Sequence, residues 1–93
     1  MYKRQVSIHE LAKILKEKNF PKAREWVNSN LDNEPHVLFR SMYDSFYKTM
    51  TSASIPAAIL ILAKYQHWAE RVPDQEINTL ACLTEIMVEC TFK

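Results

Sequence analysis

The chain has 93 residues, of which 47% are hydrophobic and 25% charged, with a formal net charge of +1 and no glycine. That length and composition suit one domain with a thin core, and the near-neutral balance supplies no overall drive toward nucleic acid or an anionic membrane. The missing glycine, where about six would be ordinary, excludes a Walker-type phosphate loop, a G-x-G-x-x-G dinucleotide turn and an Asn-Gly or Asp-Gly hairpin.

Five helices are predicted, joined by short turns, with no strand-period segment and no internal repeat. The first spans about Ser7 to Lys18. Ser7 and Glu10 make an S-x-x-E capping box, and Ile8, Leu11, Ala12 and Leu15 form one apolar stripe. The second runs from about Phe20 to Asn30, with Asn19 as its cap and Pro21 in its first turn. Phe20, Ala23 and Val27 line its inner face, with Trp26 on the shoulder.

The third helix covers about Glu34 to Met50, capped by Asn33. Phe39, Met42, Tyr43, Phe46, Tyr47 and Met50 recur at helical spacing and predict a buried stripe. Arg40, Asp44 and Lys48 fall on the opposite side. The fourth helix runs from about Ile55 to Arg71 behind a Ser54 cap. Its first half, Ile55 to Ala63, is apolar all round and predicts a central buried segment. Its second half, through Tyr65, His67, Trp68 and Arg71, is expected to reach solvent.

Val72-Pro73 breaks the chain, and Asp74 caps a fifth helix that continues to about Cys90. Asn78, Cys82, Glu85 and Glu89 make one narrow polar stripe on it. Apolar side chains cover most of the rest, so this helix has to be wrapped on about three sides. The domain itself can do that, or part of this surface, or of the fourth helix, can be left to a partner.

Candidate chemistry is sparse. His9, His36 and His67 fall on three predicted helices, and no C-x-x-C or H-x-x-x-H spacing occurs, so no metal and no cofactor is expected. Cys82 and Cys90 lie eight residues apart on one helix. Their Cα atoms would be about 12 Å apart, too far to bridge, so they read as reduced thiols of an intracellular protein. The carboxylates Asp74 and Glu76 suit capping and the helix dipole. Glu85 and Glu89 suit a solvated or interfacial stripe. No catalytic residue is expected. Tyr43, Tyr47, Tyr65 and Trp68 could offer stacking platforms to single-stranded nucleic acid, but the spacing of the first two beside Phe39 and Phe46 reads as core. The start is polar and charged, unlike a secretory leader. The longest apolar run, Ile55 to Ala63, is nine residues and too short to span a bilayer.

Charge is unevenly placed. Residues 1–24 carry seven basic side chains and two acidic ones, a net +5; residues 25–93 carry five basic and nine acidic, a net −4. This is either a solvated basic face or a basic edge that meets a neighbouring subunit's acidic edge, head to tail.

Three blocks then stand out together: Tyr65-Gln66-His67-Trp68-Ala69-Glu70-Arg71, Asp74-Gln75-Glu76-Ile77-Asn78 and Leu80-Ala81-Cys82-Leu83. In order and spacing they resemble the end of clamp-loader ATPase subunits, namely the replication factor C small subunits and their bacteriophage counterparts. The closing Glu89-Cys90-Thr91-Phe92-Lys93 is similar to the bacteriophage type. Upstream, Ile14 to Arg24 looks like the helix, short connection and "K-A-R-E" helix that open the same domain. The resemblance spans residues 7–93. It departs at Val72-Pro73-Asp74, where many members place a glycine.

The resemblance implies an all-α, five-helix collar domain, 1–93, which joins subunits into a ring. It implies partners in other clamp-loader subunits, with self-association possible. The sliding clamp and primer–template DNA would be met through AAA+ ATPase domains whose motifs this sequence lacks. It implies no ATPase activity for this segment and no membrane contact. A ring needs two different faces. The candidates are Tyr65, Trp68, Glu85 and Glu89 for one, and Lys13, Lys16 and Arg24 for the other. The alternative, drawn from the basic start alone, is a small helical nucleic-acid-binding module.

Overall fold

The computed structural model describes residues 8–31 and 34–93, with side chains from Glu10 onward. Five α-helices follow in order: α1 (Ile8–Lys16), α2 (Phe20–Ser29), α3 (Pro35–Thr49), α4 (Ile55–Ala69) and α5 (Gln75–Glu89). A 3₁₀ turn, Ser52–Ser54, leads into α4. The radius of gyration is 12.2 Å, close to the roughly 12 Å expected of one compact domain of this length.

Helix starts follow local chemistry where the caps are described. The Asn19 side chain accepts from the Lys22 amide at 3.2 Å, and the Asp74 side chain accepts from the Ile77 amide at 3.2 Å. Each satisfies an amide that the first helical turn leaves without a partner. The predicted caps Ser7 and Asn33 lie outside the described residues. Ser54 is not a side-chain cap. Its hydroxyl instead accepts from the Thr91 amide at 2.8 Å and from the Thr51 hydroxyl at 3.1 Å. The 3₁₀ turn ahead of α4 leaves this hydroxyl free for the far end of the chain.

α1 stops at Lys16, two residues before the predicted end, because Lys18 turns to φ 56°. The Asn19 amide bonds to the Ile14 carbonyl and the Lys18 amide to the Leu15 carbonyl, both at 3.1 Å. That is the Schellman pattern, whose left-handed position usually belongs to glycine. Here a lysine holds it, and its Nζ donates to the Met87 carbonyl, 2.6 Å away in the last turn of α5. A cation at that carbonyl suits the negative end of the helix dipole. Two effects of similar size therefore oppose each other at one residue. Lys18→Met, which keeps the backbone cost and loses the bond, is expected to lower stability by about 1 kcal/mol. Lys18→Gly, which also relieves a backbone cost of about 1 kcal/mol, should return close to wild type in urea unfolding.

α5 packs against α4, α2 and α1; α3 packs against α1 and α4. Leu11, Leu15, Val27, Phe46, Met42, Met50, Leu83 and Ile86 are fully buried where these helices meet. The predicted α3 stripe is buried at Phe39, Met42, Phe46 and Met50, but it ends short at its edge. Tyr43 is half-buried and Tyr47 is 58% exposed, its ring edge-on to Tyr43. Trp26, expected on a shoulder, is buried.

The end of the chain closes the domain. Met50 and Phe92 form an isolated antiparallel bridge. The Thr51 amide donates to the Thr91 carbonyl at 3.0 Å, and the Lys93 amide to the Thr49 carbonyl at 2.8 Å. Phe92 lies edge-on against Phe46, centroids 5.7 Å apart.

Candidate interaction surface

α4 and α5 run antiparallel. The Cys90 thiol reaches the Ser54 carbonyl at one end of the pair, and the Asn78 side-chain amide donates to the Tyr65 carbonyl toward the other, at 3.2 Å. This orientation corrects the expected polar stripe of α5. Asn78 and Cys82 face inward and are buried, because Asn78 finds its acceptor on α4 and Cys82 fills a small space in the core. Burial pushes the Cys82 thiol well above the usual thiol range and raises Cys90 as well. Neither has the thiolate character of a nucleophile.

Turning Asn78 and Cys82 inward, with Glu85 at the seam and Glu89 exposed, turns apolar residues out. Ile77 is 66% exposed and Val88 73%, with Ala81, Thr84 and Leu80 half-exposed between them. On α4 the apolar first half is not enclosed as expected. Ala58, Ile61 and Leu62 are buried, whereas Leu60 is 72% exposed. A helix apolar on all sides, lying on the surface of a small bundle, must leave one side uncovered. The antiparallel register puts Leu60 toward the Val88 end of the pair and Trp68, 47% exposed, toward the Ile77 end.

Between these apolar ends sits a small polar cluster. Lys64 Nζ donates to the two Glu85 carboxylate oxygens at 2.9 and 3.1 Å, and the Tyr65 hydroxyl donates to Glu85 Oε1 at 2.8 Å. The Lys64 hydrogen bond, then that of Tyr65, holds the Glu85 carboxyl below its ordinary value of 4.5. Burial, then the Glu85 carboxylate, raises Tyr65. A carboxyl lowered on folding adds stability above its unfolded pKa and loses it as pH falls through the folded one. Glu85→Gln is therefore expected to unfold more readily than wild type at neutral pH, with the gap closing in acid. A gap independent of pH would show that the ionised carboxylate is not the cause.

The sequence-predicted site residues divide into two places. Tyr65, Trp68 and Glu85 lie on the α4–α5 seam, and Glu89 is exposed in the last turn of α5. Lys13, Lys16 and Arg24 are exposed on α1 and α2. Arg24 is already engaged within the chain, its Nε 3.2 Å from Glu76 Oε2. Lys13 borders an open cleft between α1 and α2, with Glu17, Lys22, Glu25 and Trp26. Leu60, Lys64 and Ile77, which belong to the same seam as Tyr65 and Glu85, were missed as candidates. Their signal was present: the Lys64 charge interrupts an apolar helix, and Leu60, Lys64 and Trp68 share one face at i, i+4, i+8.

His36 pairs with Glu34 at 3.3 Å and His67 touches Trp68, both near solvent. Among the described residues no three His, Cys, Asp or Glu side chains come together as metal ligands, and no helix is long and apolar enough to cross a membrane. No protein-family model matches the chain, and no curated protein matches it by sequence.

Proposed function

We propose that the chain is an assembly domain of the clamp-loader collar type, which joins subunits through its helix faces and performs no catalysis of its own. The observation that supports this best is the outer surface of α4 and α5. Leu60, Ile77 and Val88 stand in water there although the domain has a closed core beneath them. Exposed apolar side chains along a helix pair, with a polar cluster between, are the pattern of a surface meant to be covered.

The sequence resemblance supplies the class of partner: other clamp-loader subunits, inside the cell, with the sliding clamp and DNA left to ATPase domains. One face of the contact would comprise the α4–α5 seam with Tyr65, Trp68, Glu85 and Glu89. The other would be the basic α1–α2 edge with Lys13, Lys16 and Arg24.

The test is competition. Added in stoichiometric amounts to a reconstituted bacteriophage-type clamp loader, the chain should co-elute with its subunits and slow clamp loading. Leu60→Asp, at an exposed position, should abolish both effects. Elution apart from the subunits, with clamp loading unaffected, contradicts the reading.

A second reading draws on the exposed Lys13, Lys16, Lys22 and Arg24, basic side chains of α1 and α2 that would contact a phosphate backbone. Binding to generic duplex or single-stranded DNA that weakens steeply with salt would favour it. Affinity no tighter than that of a neutral control protein would remove it.

A further inference from the structure

The outward face of α5 reads nearly the same in both directions. Ile77, Ala81, Thr84 and Val88 follow at intervals of four, three and four residues, so they form one stripe along the helix. The large β-branched side chains stand at its ends and are the more exposed; the small ones occupy its middle. The Thr84 hydroxyl already donates to the Leu80 carbonyl at 2.8 Å. Covering this residue therefore leaves no donor without a partner.

Reversed about a point between Cys82 and Leu83, the stripe maps onto itself. Ile77 falls on Val88 and Ala81 on Thr84. A two-fold axis through that point seats Ile77 of one copy against Val88 of the other, twice. The small central residues let the two helices approach closely, and the branched ends fill the space that remains. An unrelated partner requires no such symmetry, whereas a two-fold contact between identical chains requires each patch to complement itself.

Charge does not oppose the same axis. Lys64 Nζ lies 2.9 and 3.1 Å from the two Glu85 carboxylate oxygens of its own chain, so each copy brings an already neutralised pair to this flank and no unpaired charge is covered there.

We propose that a second copy of this chain docks on this face, α5 against α5, in antiparallel register. The inference does not rest on the clamp-loader reading: it describes the chain on its own, and a ring subunit seated on the same α4–α5 face would displace the second copy. A two-fold contact of this kind consumes the face on both copies and stops at two, whereas a ring contact continues to a third subunit. One helix face is a small interface, below the roughly 1,200 Å² of stable specific complexes, so the dimer belongs in the micromolar to millimolar range.

Two substitutions at exposed positions test it, Ile77→Lys and Val88→Glu. Each alone places a charge against an apolar residue and is expected to weaken dimerisation about tenfold or more. Combined in one chain they should restore it. In the antiparallel pair each introduced lysine faces the other copy's introduced glutamate, whereas a parallel pair would set lysine against lysine. Within one chain the two positions are eleven residues apart, too distant to pair with each other.

Sedimentation equilibrium on the wild type, both single variants and the double variant reads the result, with circular dichroism confirming equal helix content. A wild-type dimer, weakened in both singles and recovered in the double, is the expected outcome. A wild type that stays monomeric to about 1 mM, assembly that passes two, singles that associate like wild type, or a double variant that fails to recover would each overturn the proposal.

Discussion

Phe46→Ala is expected to lower the unfolding free energy by about 3–5 kcal/mol, the largest effect of any single substitution considered. Phe46 is 1% exposed, among the largest of the fully buried side chains. It sits on the inner stripe of α3, and Phe92 lies edge-on against it with ring planes at 82°. Removing the ring leaves a cavity that neighbouring helices can fill only in part, and it also removes an aromatic pair worth about 1 kcal/mol beyond burial. A domain of this size has about 5–15 kcal/mol in total, so the variant should sit near the edge of folding. Urea unfolding followed by circular dichroism measures it. A loss under about 1 kcal/mol would mean that this part of the core is loosely packed.

Removal of Thr91, Phe92 and Lys93 should be nearly as damaging, at about 3–4 kcal/mol. Phe92 contributes most, as it is 9% exposed and packs on Phe46. Two backbone bonds to Thr49 and Thr51 and the bond from the Thr91 amide to the Ser54 hydroxyl are lost with it. These bonds hold the connection between α3 and α4 against the end of α5, so the deletion frees a junction as well as a side chain. Phe92→Ala isolates the ring. Because Phe46 and Phe92 touch, the double alanine variant should cost measurably less than the sum of the two singles. Strict additivity would show that the two rings do not stabilise each other.

Local chemistry was legible in the residues, and tertiary choices were less so. Asn19 and Asp74 cap their helices because the cap, its acceptor and the amide it satisfies all lie within four residues. The buried side of α3 was legible at Phe39, Met42 and Phe46 because a half-apolar helix has a single way to face a core. α5 is different. Its apolar side chains occupy most of its circumference, so periodicity could not say which side faces in. The answer came from α4: the Tyr65 carbonyl gives Asn78 an acceptor, and Lys64 and Tyr65 give Glu85 its hydrogen bonds. Each of those contacts joins residues at least 13 positions apart.

The same limit explains Lys18 and Ser54. A lysine at a left-handed helix end gives no sign of itself in a chain without glycine, and its reason lies at Met87, 69 residues away. Ser54 looks like a helix cap by position, yet its hydroxyl serves Thr91, 37 residues on. For the candidate surface, Tyr65, Trp68 and Glu85 were readable as one group on the last two helices. The exposure of Leu60 was not, because an all-apolar stretch reads the same whether it lies inside a bundle or along its rim.

The proposed contact of another chain with the α4–α5 surface is read by sedimentation equilibrium of the wild-type chain beside Leu60→Asp, over a wide concentration range. Reversible association beyond monomer is expected of the wild type, and its loss in Leu60→Asp with helix content and melting temperature unchanged. A wild-type chain that remains strictly monomeric at the highest concentrations, with Leu60→Asp behaving identically, would contradict it.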